Sequence, residues 1–259
     1  MNIQNIVLIG SGNLATNLAF AFKNAGLNIQ YIYSRRESHA RKLAEKIGAP
    51  HTDSLTRLPR NADLYLISIS DAAILKTASE LPGCKGICAH TSGSINMSVL
   101  GDIFKNYGVF YPLMNFSASA ISEFKKTPLC IEGNSEKTFA ALNQLANLIS
   151  DHVREMNSVD RQIVHLAAVF ACNFTNMNYV IAEKILEKNN IPFDLLRPLI
   201  LETARKVQKS SPAQLQTGPA MRNDKTVIET QLKMLEAIPE FKELYEMFTK
   251  HIQNTQKTS

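Results

Sequence analysis

The chain has 259 residues, a length that predicts two domains at about 100–200 residues per domain. Apolar residues make up 45% of the chain and charged residues 20%, which is close to the globular average and excludes long disordered segments, fibres and coiled coils. No apolar run approaches the ~20 residues that span a bilayer, and the first residues lack the basic leader of a signal peptide. We therefore expect a soluble, cytoplasmic protein.

The charge balance is mildly basic, with 28 Lys and Arg residues against 23 Asp and Glu residues and an isoelectric point near 9.0. The excess is spread evenly along the chain, without the clustered basic stripe that nucleic-acid binding needs. Small anionic ligands fit this balance better than a polyanion does. We expect neither nucleic acid nor a membrane as a partner.

The cysteines do not form a metal-binding pattern. Two of them are four residues apart, and no second pair of Cys or His residues completes a zinc site. We expect reduced structural thiols and no bound metal at Cys84, Cys88, Cys130 and Cys172.

The first half of the chain alternates short apolar segments with segments of helical periodicity. Strands are predicted at residues 6–9, 29–33, 63–69, 86–90, 109–111 and 129–131. Helices are predicted at residues 13–25, 37–47, 72–81, 99–106 and 135–150. Alternation of this kind predicts an α/β domain over residues 1–153, with a parallel sheet covered by helices on both faces.

The second half reads as helical throughout. Residues 160–189 contain neither Gly nor Pro and predict one long helix of ~45 Å. Further helices are predicted at residues 193–209, 225–238 and 239–254, with Pro198 early in the first of them and Pro239 at a first-turn position. Residues 255–259 are expected to be a frayed tail. The sequence thus predicts an all-helical domain over residues 154–259.

A glycine-rich turn follows the first predicted strand and opens the first predicted helix. Gly10 permits the tight turn, Gly12 lets the backbone approach a pyrophosphate, and Ala15 allows close packing of helix on strand. The helix N-terminus offers N–H groups and a partial positive charge to the phosphates. This position predicts dinucleotide binding by Gly10, Ser11, Gly12, Asn13, Leu14 and Ala15.

The residues at the end of the second strand indicate which dinucleotide is bound. Folds specific for NAD place an acidic residue there to hold the ribose hydroxyls. This chain instead has Ser34, Arg35 and Arg36, with no acid before Glu37. A hydroxyl and two guanidinium groups suit a 2′-phosphate, so the pattern predicts NADP. The alternative is a solvated basic turn.

Polar residues also follow later strands, at the sheet edge where open α/β sheets bind ligands. Ser68 lies at the end of the third clear strand and is expected to contact the cofactor, whereas Asp71 is expected to cap the next helix. Thr91 and Ser92 leave the following strand and are expected to border the nicotinamide or substrate. Tyr111 ends the next strand, and its role is left open between ligand contact and structure.

The chain resembles a known family in motifs that span nearly all of its length. The N-terminal half resembles the Rossmann-type NADP-binding domain of pyrroline-5-carboxylate reductases, 6-phosphogluconate-type dehydrogenases and deazaflavin-dependent NADP oxidoreductases. The whole chain is similar to predicted oxidoreductases that join this domain to a helical C-terminal domain of unknown function. The resemblance is carried by residues 10–15, 34–36, 90–93, 111–113, 165–173 and 217–224. At Tyr111 the chain departs from the His found before Pro-Leu in many relatives, which leaves no basis for assigning proton transfer to that position.

The better-understood relatives imply that substrate lies between the nicotinamide and the first long helix of the helical domain. His165 and Asn173 are the candidate catalytic residues and Asn176 a candidate substrate-binding residue, and a regular helix would place His165, Cys172 and Asn176 on one face. Hydride transfer to C=O or C=N needs a proton nearby, and imidazole titrates near neutrality. The alternative is a buried dimer seam.

The loop at residues 217–224 supplies another candidate for substrate binding. Arg222 could grip a substrate carboxylate if the loop returns to the cleft. On the alternative interpretation the loop is a rigid connector, with Asp224 capping the next helix.

The leading hypothesis is an NADP-dependent oxidoreductase that transfers a hydride to or from a small polar metabolite in the interdomain cleft. One alternative is a non-catalytic NADP(H)-binding sensor or assembly module, and another is a ferric or deazaflavin reductase. The long helix is apolar almost all round, so we also expect a homodimer that forms through the helical domains.

Overall fold

The computed structural model describes residues 2–81, 83–117 and 123–256. Contacts divide the chain into two compact units, Met1–Phe170 and Ala171–Ser259. The boundary predicted between residues 153 and 154 falls inside the last strand of the sheet. Residues 257–259 of the predicted tail lie outside the described residues.

The described residues of the first unit form an eight-stranded sheet with the strand order β3-β2-β1-β4-β5-β6-β7-β8. Its strands are β1 Asn5–Ile9, β2 Asn28–Tyr33, β3 His51–Thr52, β4 Leu64–Ile67, β5 Ile87–His90, β6 Tyr107–Pro112, β7 Leu129–Gly133 and β8 Val153–Glu155. All neighbouring strands are parallel except β6 and β7, which are antiparallel.

The predicted α/β class is confirmed, and the sheet differs from the predicted parallel one at β7. A parallel neighbour needs a crossover, usually a helix, whereas an antiparallel neighbour does not. The described residues between β6 and β7 contain a single short 3-10 turn, Phe124–Lys126, and no longer helix. The two shortest strands, β3 and β8, have two and three residues, too few to show a period in the sequence.

Helices cover both faces of the sheet, which explains the unbroken apolar runs of its strands. In β1, Ile6 and Leu8 pack in a core with the first, second and fourth helices, whereas Val7 and Ile9 pack on the other face with the third helix. The helices of this unit are α1 Asn13–Asn24, α2 Glu37–Ile47, α3 Ile74–Ser79, α4 Glu136–Ile149 and α5 Ser158–Ala168.

The helix predicted at residues 99–106 is wrong. The structure has only a 3-10 helix there, Met97–Leu100. The Asn96 side chain accepts a hydrogen bond from the Ser98 N–H and starts the turn early, and Gly101 follows at its C-cap. Leu100 and Phe104 supply the apolar pattern by packing into the core from a turn.

The second unit is helical, as predicted, with α6 Thr175–Glu187, α7 Arg197–Lys206, α8 Lys225–Met234 and α9 Pro239–Gln256. The predicted long helix consists of α5, a π-helical stretch at Val169–Phe174, and α6. Pro198 lies in the first turn of α7. Thr255 is helical, so the frayed tail predicted from residue 255 is wrong at that position.

Two further features bear on the expectations from composition. No helix among the described residues is both long and apolar enough to cross a membrane. All four cysteines lie in the described part of the chain, and none of them forms a disulfide.

Candidate functional site

A pocket of about 550 Å³ lies at the carboxyl ends of β1, β2, β4, β5 and β6. This is the edge at which open α/β sheets bind ligands. All of its lining residues belong to the first unit. The predicted site residues that line it are Gly10, Ser11, Gly12, Asn13, Leu14, Ser34, Arg35, Ser68, Thr91, Ser92 and His165.

Gly10 makes the turn that starts one end of the pocket. Its φ is +126°, a conformation that residues with a side chain rarely adopt. A Cβ at Gly10 would lie 2.0 Å from the carbonyl oxygen of Ser68 at the end of β4. The Gly10 N–H donates a hydrogen bond of 2.8 Å to the Tyr33 carbonyl oxygen at the end of β2. The turn is therefore fixed against both neighbouring strands.

Gly12 occupies the N-cap position of α1 and leaves space in front of the helix. A Cβ at Gly12 would meet nothing within 4 Å. The first hydrogen bond within α1 runs from the Thr16 N–H to the Gly12 carbonyl oxygen, and no side chain in the described residues caps this end. The N–H groups of residues 13–15 can therefore be offered to a phosphate. The Ala15 side chain is fully buried on the face of α1 that packs into the core.

The residues predicted to select NADP divide into two groups. Ser34 and Arg35 line the pocket, and Arg35 is exposed to solvent. Arg36 is also exposed but occupies the N-cap position of α2 and is not among the lining residues. A guanidinium and a hydroxyl at the end of β2, beside a helix N-terminus, fit a dinucleotide that carries a 2′-phosphate.

The other end of the pocket contains a pair of aromatic residues, Tyr111 and His165. The Tyr111 hydroxyl and the His165 Nδ1 are 2.9 Å apart, and the two rings meet edge to face at 75° with centroids 5.9 Å apart. Burial raises the pKa of Tyr111 to about 12, so the phenol is protonated at neutral pH. One hydrogen bond therefore joins the phenol oxygen and the imidazole nitrogen, and the tautomer of His165 decides which of the two donates.

Gly93 makes room for this pair. A Cβ at Gly93 would lie 2.6 Å from the His165 Nδ1 and 2.8 Å from the Tyr111 Cζ. Gly93 and Tyr111 lie in motifs that the sequence singles out, but no spacing in the sequence links residues 93, 111 and 165. The pairing of Tyr111 with His165 was therefore missed.

Of two further residues at this edge of the sheet, Asp71 lines the pocket but departs from its predicted role, and His90 belongs to the buried interior. Asp71 does not cap a helix: it is the first residue of a 3-10 turn whose N-cap is Ser70, and its carboxylate accepts a hydrogen bond from the Ser94 hydroxyl. His90 is fully buried, and its Nδ1 accepts from the Ser92 N–H at 3.2 Å. Burial, reinforced by the Arg161 cation, lowers the pKa of His90 to about 4, so the imidazole is uncharged at neutral pH.

The remaining predicted residues, Asn173, Asn176 and Arg222, belong to the second unit and do not line this pocket. Their roles stay predictions. The shared face expected for His165, Cys172 and Asn176 assumed a regular α-helix, and the π-helical stretch interrupts that period.

In the loop before α8, the predicted helix cap is present. The Asp224 carboxylate accepts from the Val227 N–H at 3.2 Å and caps α8. Arg222 is exposed. Within the described ranges, no cluster of three or more His, Cys, Asp or Glu side chains is placed to hold a metal ion.

Fold and pocket together define a Rossmann-type dinucleotide-binding domain followed by a helical domain. Family models agree: one described as NADP oxidoreductase, coenzyme F420-dependent, matches residues 5–87. Another, described as a domain of unknown function (DUF2520), matches residues 127–252. A comparison with curated proteins gives no match.

The chain is also similar to solved structures. It is 43% identical to a predicted NADP oxidoreductase from Bacteroides fragilis, with a TM-score of 0.93, and the match covers 97% of this chain and 98% of that one. The chain therefore belongs to this family of NADP oxidoreductases with a DUF2520 domain, and the resemblance predicted from its motifs is confirmed.

More distant structures share the fold alone. A pyrroline-5-carboxylate reductase from Streptococcus pyogenes is 14% identical, with a TM-score of 0.64 over 98% of this chain and 100% of that one. An imine reductase from Myxococcus stipitatus, solved with NADP+, is 15% identical, with a TM-score of 0.67 over 98% of this chain and 95% of that one.

Proposed function

We propose that this chain is an NADP-dependent oxidoreductase that transfers a hydride to or from a small polar metabolite, with His165 as the general acid or base. One observation carries the proposal: the hydrogen-bonded Tyr111–His165 pair lies in the same pocket as the glycine turn and the N-terminus of α1. A dinucleotide cradle, here the turn and helix start at residues 10–15, supports only binding when it stands alone. A cradle with a proton-transferring group in the same pocket supports catalysis.

The cofactor assignment rests on three features of the pocket. The turn at Gly10 and the open space at Gly12 fit the pyrophosphate, and the cation of Arg35 fits the 2′-phosphate. NADP+ is the dinucleotide in the imine reductase structure that shares this fold. When bound, NADP(H) supplies or accepts the hydride.

His165 is suited to hold the proton that accompanies the hydride. Reduction of a C=O or C=N group leaves a basic atom that must be protonated, and oxidation requires the reverse. Because Tyr111 engages the Nδ1 of His165, the Nε2 is the ring nitrogen left for substrate. The hydroxyls of Thr91 and Ser92 and the carboxylate of Asp71 belong to residues that line the same pocket, which suits a small polar substrate better than an apolar one.

The test is NADPH consumption by the purified protein against a panel of small carbonyl and imine metabolites. Replacing His165 by Gln should lower kcat by about 10²- to 10⁴-fold for any metabolite that is turned over. NADPH binding measured by calorimetry should be unchanged, because the cradle is intact. His152→Gln is the matched control, since His152 is exposed and does not line the pocket.

The same experiment separates the enzyme from a binding-only module. A sensor or assembly protein would bind NADPH tightly and turn over no metabolite of the panel. Turnover that His165→Gln leaves unchanged would remove His165 from the mechanism, even if the chain remains an oxidoreductase.

The proposal includes a homodimer formed through α5. Val159, Ile163 and Leu166 follow one another at helical spacing and are 62%, 61% and 59% exposed. Contiguous apolar side chains of this kind usually mark an interaction surface. Light scattering should give a dimer at micromolar concentration and a monomer for Ile163→Glu, while Gln144→Glu on α4 should leave the dimer intact. A monomeric wild-type protein would contradict this part.

A further inference from the structure

Arg161 is a charged residue that is completely buried in the first turns of α5. Its Nη1 donates to Glu132 Oε2 on β7, and its Nη2 donates to the Ile95 carbonyl oxygen and, at 3.1 Å, to the Ser158 hydroxyl. Burying a guanidinium is unfavourable unless it is paired and hydrogen-bonded. Both terminal nitrogens of Arg161 are hydrogen-bonded, one of them to a carboxylate, whereas its Nε has no partner among the described residues.

Glu132 and Ser158 extend this network in two directions. The Ser158 N–H and hydroxyl donate to the two carboxylate oxygens of Glu132 at 2.9 Å and 2.7 Å. The Ser158 hydroxyl oxygen accepts from the Met97 N–H at 3.0 Å. The network therefore joins β7, the start of α5 and the loop of residues 92–97. A second link between α5 and the loop runs from Gln162 Nε2 to the Ser94 carbonyl oxygen, at 2.7 Å.

These links hold both sides of the Tyr111–His165 pair. His165 follows Arg161 by four residues on α5, so the two side chains are neighbours on one face of the helix. Gly93, against which both rings pack, belongs to the loop whose Ile95 carbonyl accepts from Arg161. Arg161 thus contacts both the helix that carries His165 and the loop that confines the two rings, and the links made by Ser158 and Gln162 support it.

The network is hard to explain by stability alone. Apolar replacement of a buried ion pair is often neutral or stabilising, so such a pair is weak evidence for a stabilising role. We propose that Arg161, held by Glu132 and Ser158, is a positioning residue that sets the geometry of the Tyr111–His165 pair. Its consequence for turnover rests on the function proposed above, whereas its effect on the pair does not.

Nitrogen NMR of histidine-labelled protein tests the geometry without a substrate. Two-bond proton–nitrogen correlations report the tautomer of each imidazole, and the His165→Gln spectrum assigns the signals of His165. We expect one tautomer in the wild-type protein and a mixture in Arg161→Met. The double variant Glu132→Gln/Arg161→Met removes both charges together, so it leaves no unpaired buried charge and decides the question if the single variant does not fold. Wild-type His165 signals in a folded double variant would overturn the proposal.

Turnover provides a second readout, in which a loss of kcat at unchanged NADPH affinity separates positioning from a general loss of structure. Arg161→Met should lower kcat by roughly 10- to 100-fold with the affinity for NADPH unchanged. Arg161→Lys should recover part of that loss, because it keeps the charge but not the forked hydrogen bonds. Combined with Tyr111→Phe, Arg161→Met should lose less than the product of the two single effects. Multiplicative losses would show that Arg161 does not act through the pair.

The two proposals fail in different ways. If His165→Gln leaves turnover unchanged, the proposed catalytic role fails, while the tautomer measurement still shows whether Arg161 positions His165. If His165→Gln abolishes turnover and the Arg161 variants keep the wild-type tautomer, only the positioning role fails.

Discussion

The two ends of the pocket are built from different parts of the protein. The cradle at residues 10–15 uses backbone N–H groups and two glycines, all contiguous in the chain. The opposite end uses the side chains of Tyr111 and His165, which are 54 residues apart, and the space left by Gly93.

This difference determines how each end keeps its geometry. The N–H groups at the start of α1 are aimed by the helix itself, so most side-chain changes there leave them in place. A hydroxyl and an imidazole have rotatable bonds and depend on what surrounds them. We therefore expect the cradle to be sensitive at its glycines and the Tyr111–His165 pair to be sensitive to its neighbours.

The largest effect should come from Gly10→Ala, which tests whether the cradle depends on backbone geometry. The new Cβ would clash with the Ser68 carbonyl oxygen and would have to occupy a positive φ. Strain and overpacking together should lower the free energy of unfolding by about 3–5 kcal/mol, measured by urea denaturation. NADP binding should be lost with the turn.

Gly12→Ala is the matched control, because its Cβ has open space and its φ of −77° is ordinary. It should cost about 1 kcal/mol or less in stability, as expected for a change at an N-cap, while still weakening NADP binding by occupying the space in front of α1. Equal loss of stability in the two variants would contradict the distinction between them.

His90, which is buried directly before the pocket residue Thr91, should make stability depend on pH. Burial lowers the pKa of His90 to about 4 in the folded protein, against about 6.5 when unfolded. The unfolded chain therefore binds the proton first, so the stabilisation is complete above pH 6.5 and is lost as the pH falls towards 4, by about 3 kcal/mol. His90→Asn, which retains an acceptor for the Ser92 N–H, should flatten the decline of Tm over this range.

The exposed histidine His152 provides the comparison for that measurement. His152→Gln should leave the pH dependence of Tm as it is in the wild-type protein. An unchanged slope in His90→Asn would show that another group dominates acid destabilisation.

Arg35 tests how far the cradle depends on a side chain at all. Arg35→Ala should weaken NADP binding by ~10- to 100-fold, the value of a charge-assisted hydrogen bond, and leave NAD binding nearly unchanged. Arg36→Ala should have a smaller effect, because Arg36 does not line the pocket. Raised salt should narrow the preference for NADP, since Arg35 is exposed. Equal calorimetric affinities of the wild-type protein for NAD and NADP would refute the assignment.

The sequence predicted the cradle because that end is local. Gly10, Gly12 and Ala15 follow directly on β1, and their spacing alone specifies a turn into a helix. The same locality explains why most strands and helices of the first unit were predicted, β7 among them, whereas the reversed direction of β7 was not. Strand direction depends on how distant segments pair, and no local period reports it.

The pair at the opposite end could be predicted only in part. His165 was identified from its helix, and Tyr111 from its place at a strand end, but their contact depends on the path of α5 over the sheet. That path is fixed by the links of Arg161 to Glu132 and to the loop of residues 92–97, which are 29 or more residues away. Likewise, the π-helical stretch at Val169–Phe174 contains no Gly or Pro, so nothing in the sequence indicated the change of helical period there.

Tyr111→Phe should have the smallest effect and isolates the hydrogen bond from the packing. The ring remains against Gly93 and His165, while the 2.9 Å contact with Nδ1 is lost. A neutral hydrogen bond contributes about 0.5–1.5 kcal/mol, so kcat should fall by about 3- to 10-fold with NADPH affinity unchanged. The His165 tautomer should become mixed, as in the Arg161 variants.

Because the pKa of Tyr111 is about 12, its ionisation should not shape the wild-type rate profile between pH 6 and 9. Tyr111→Phe should therefore lower that profile without changing its form. A loss above 100-fold would instead identify the phenol as the group that delivers the proton to substrate, with His165 in the supporting role.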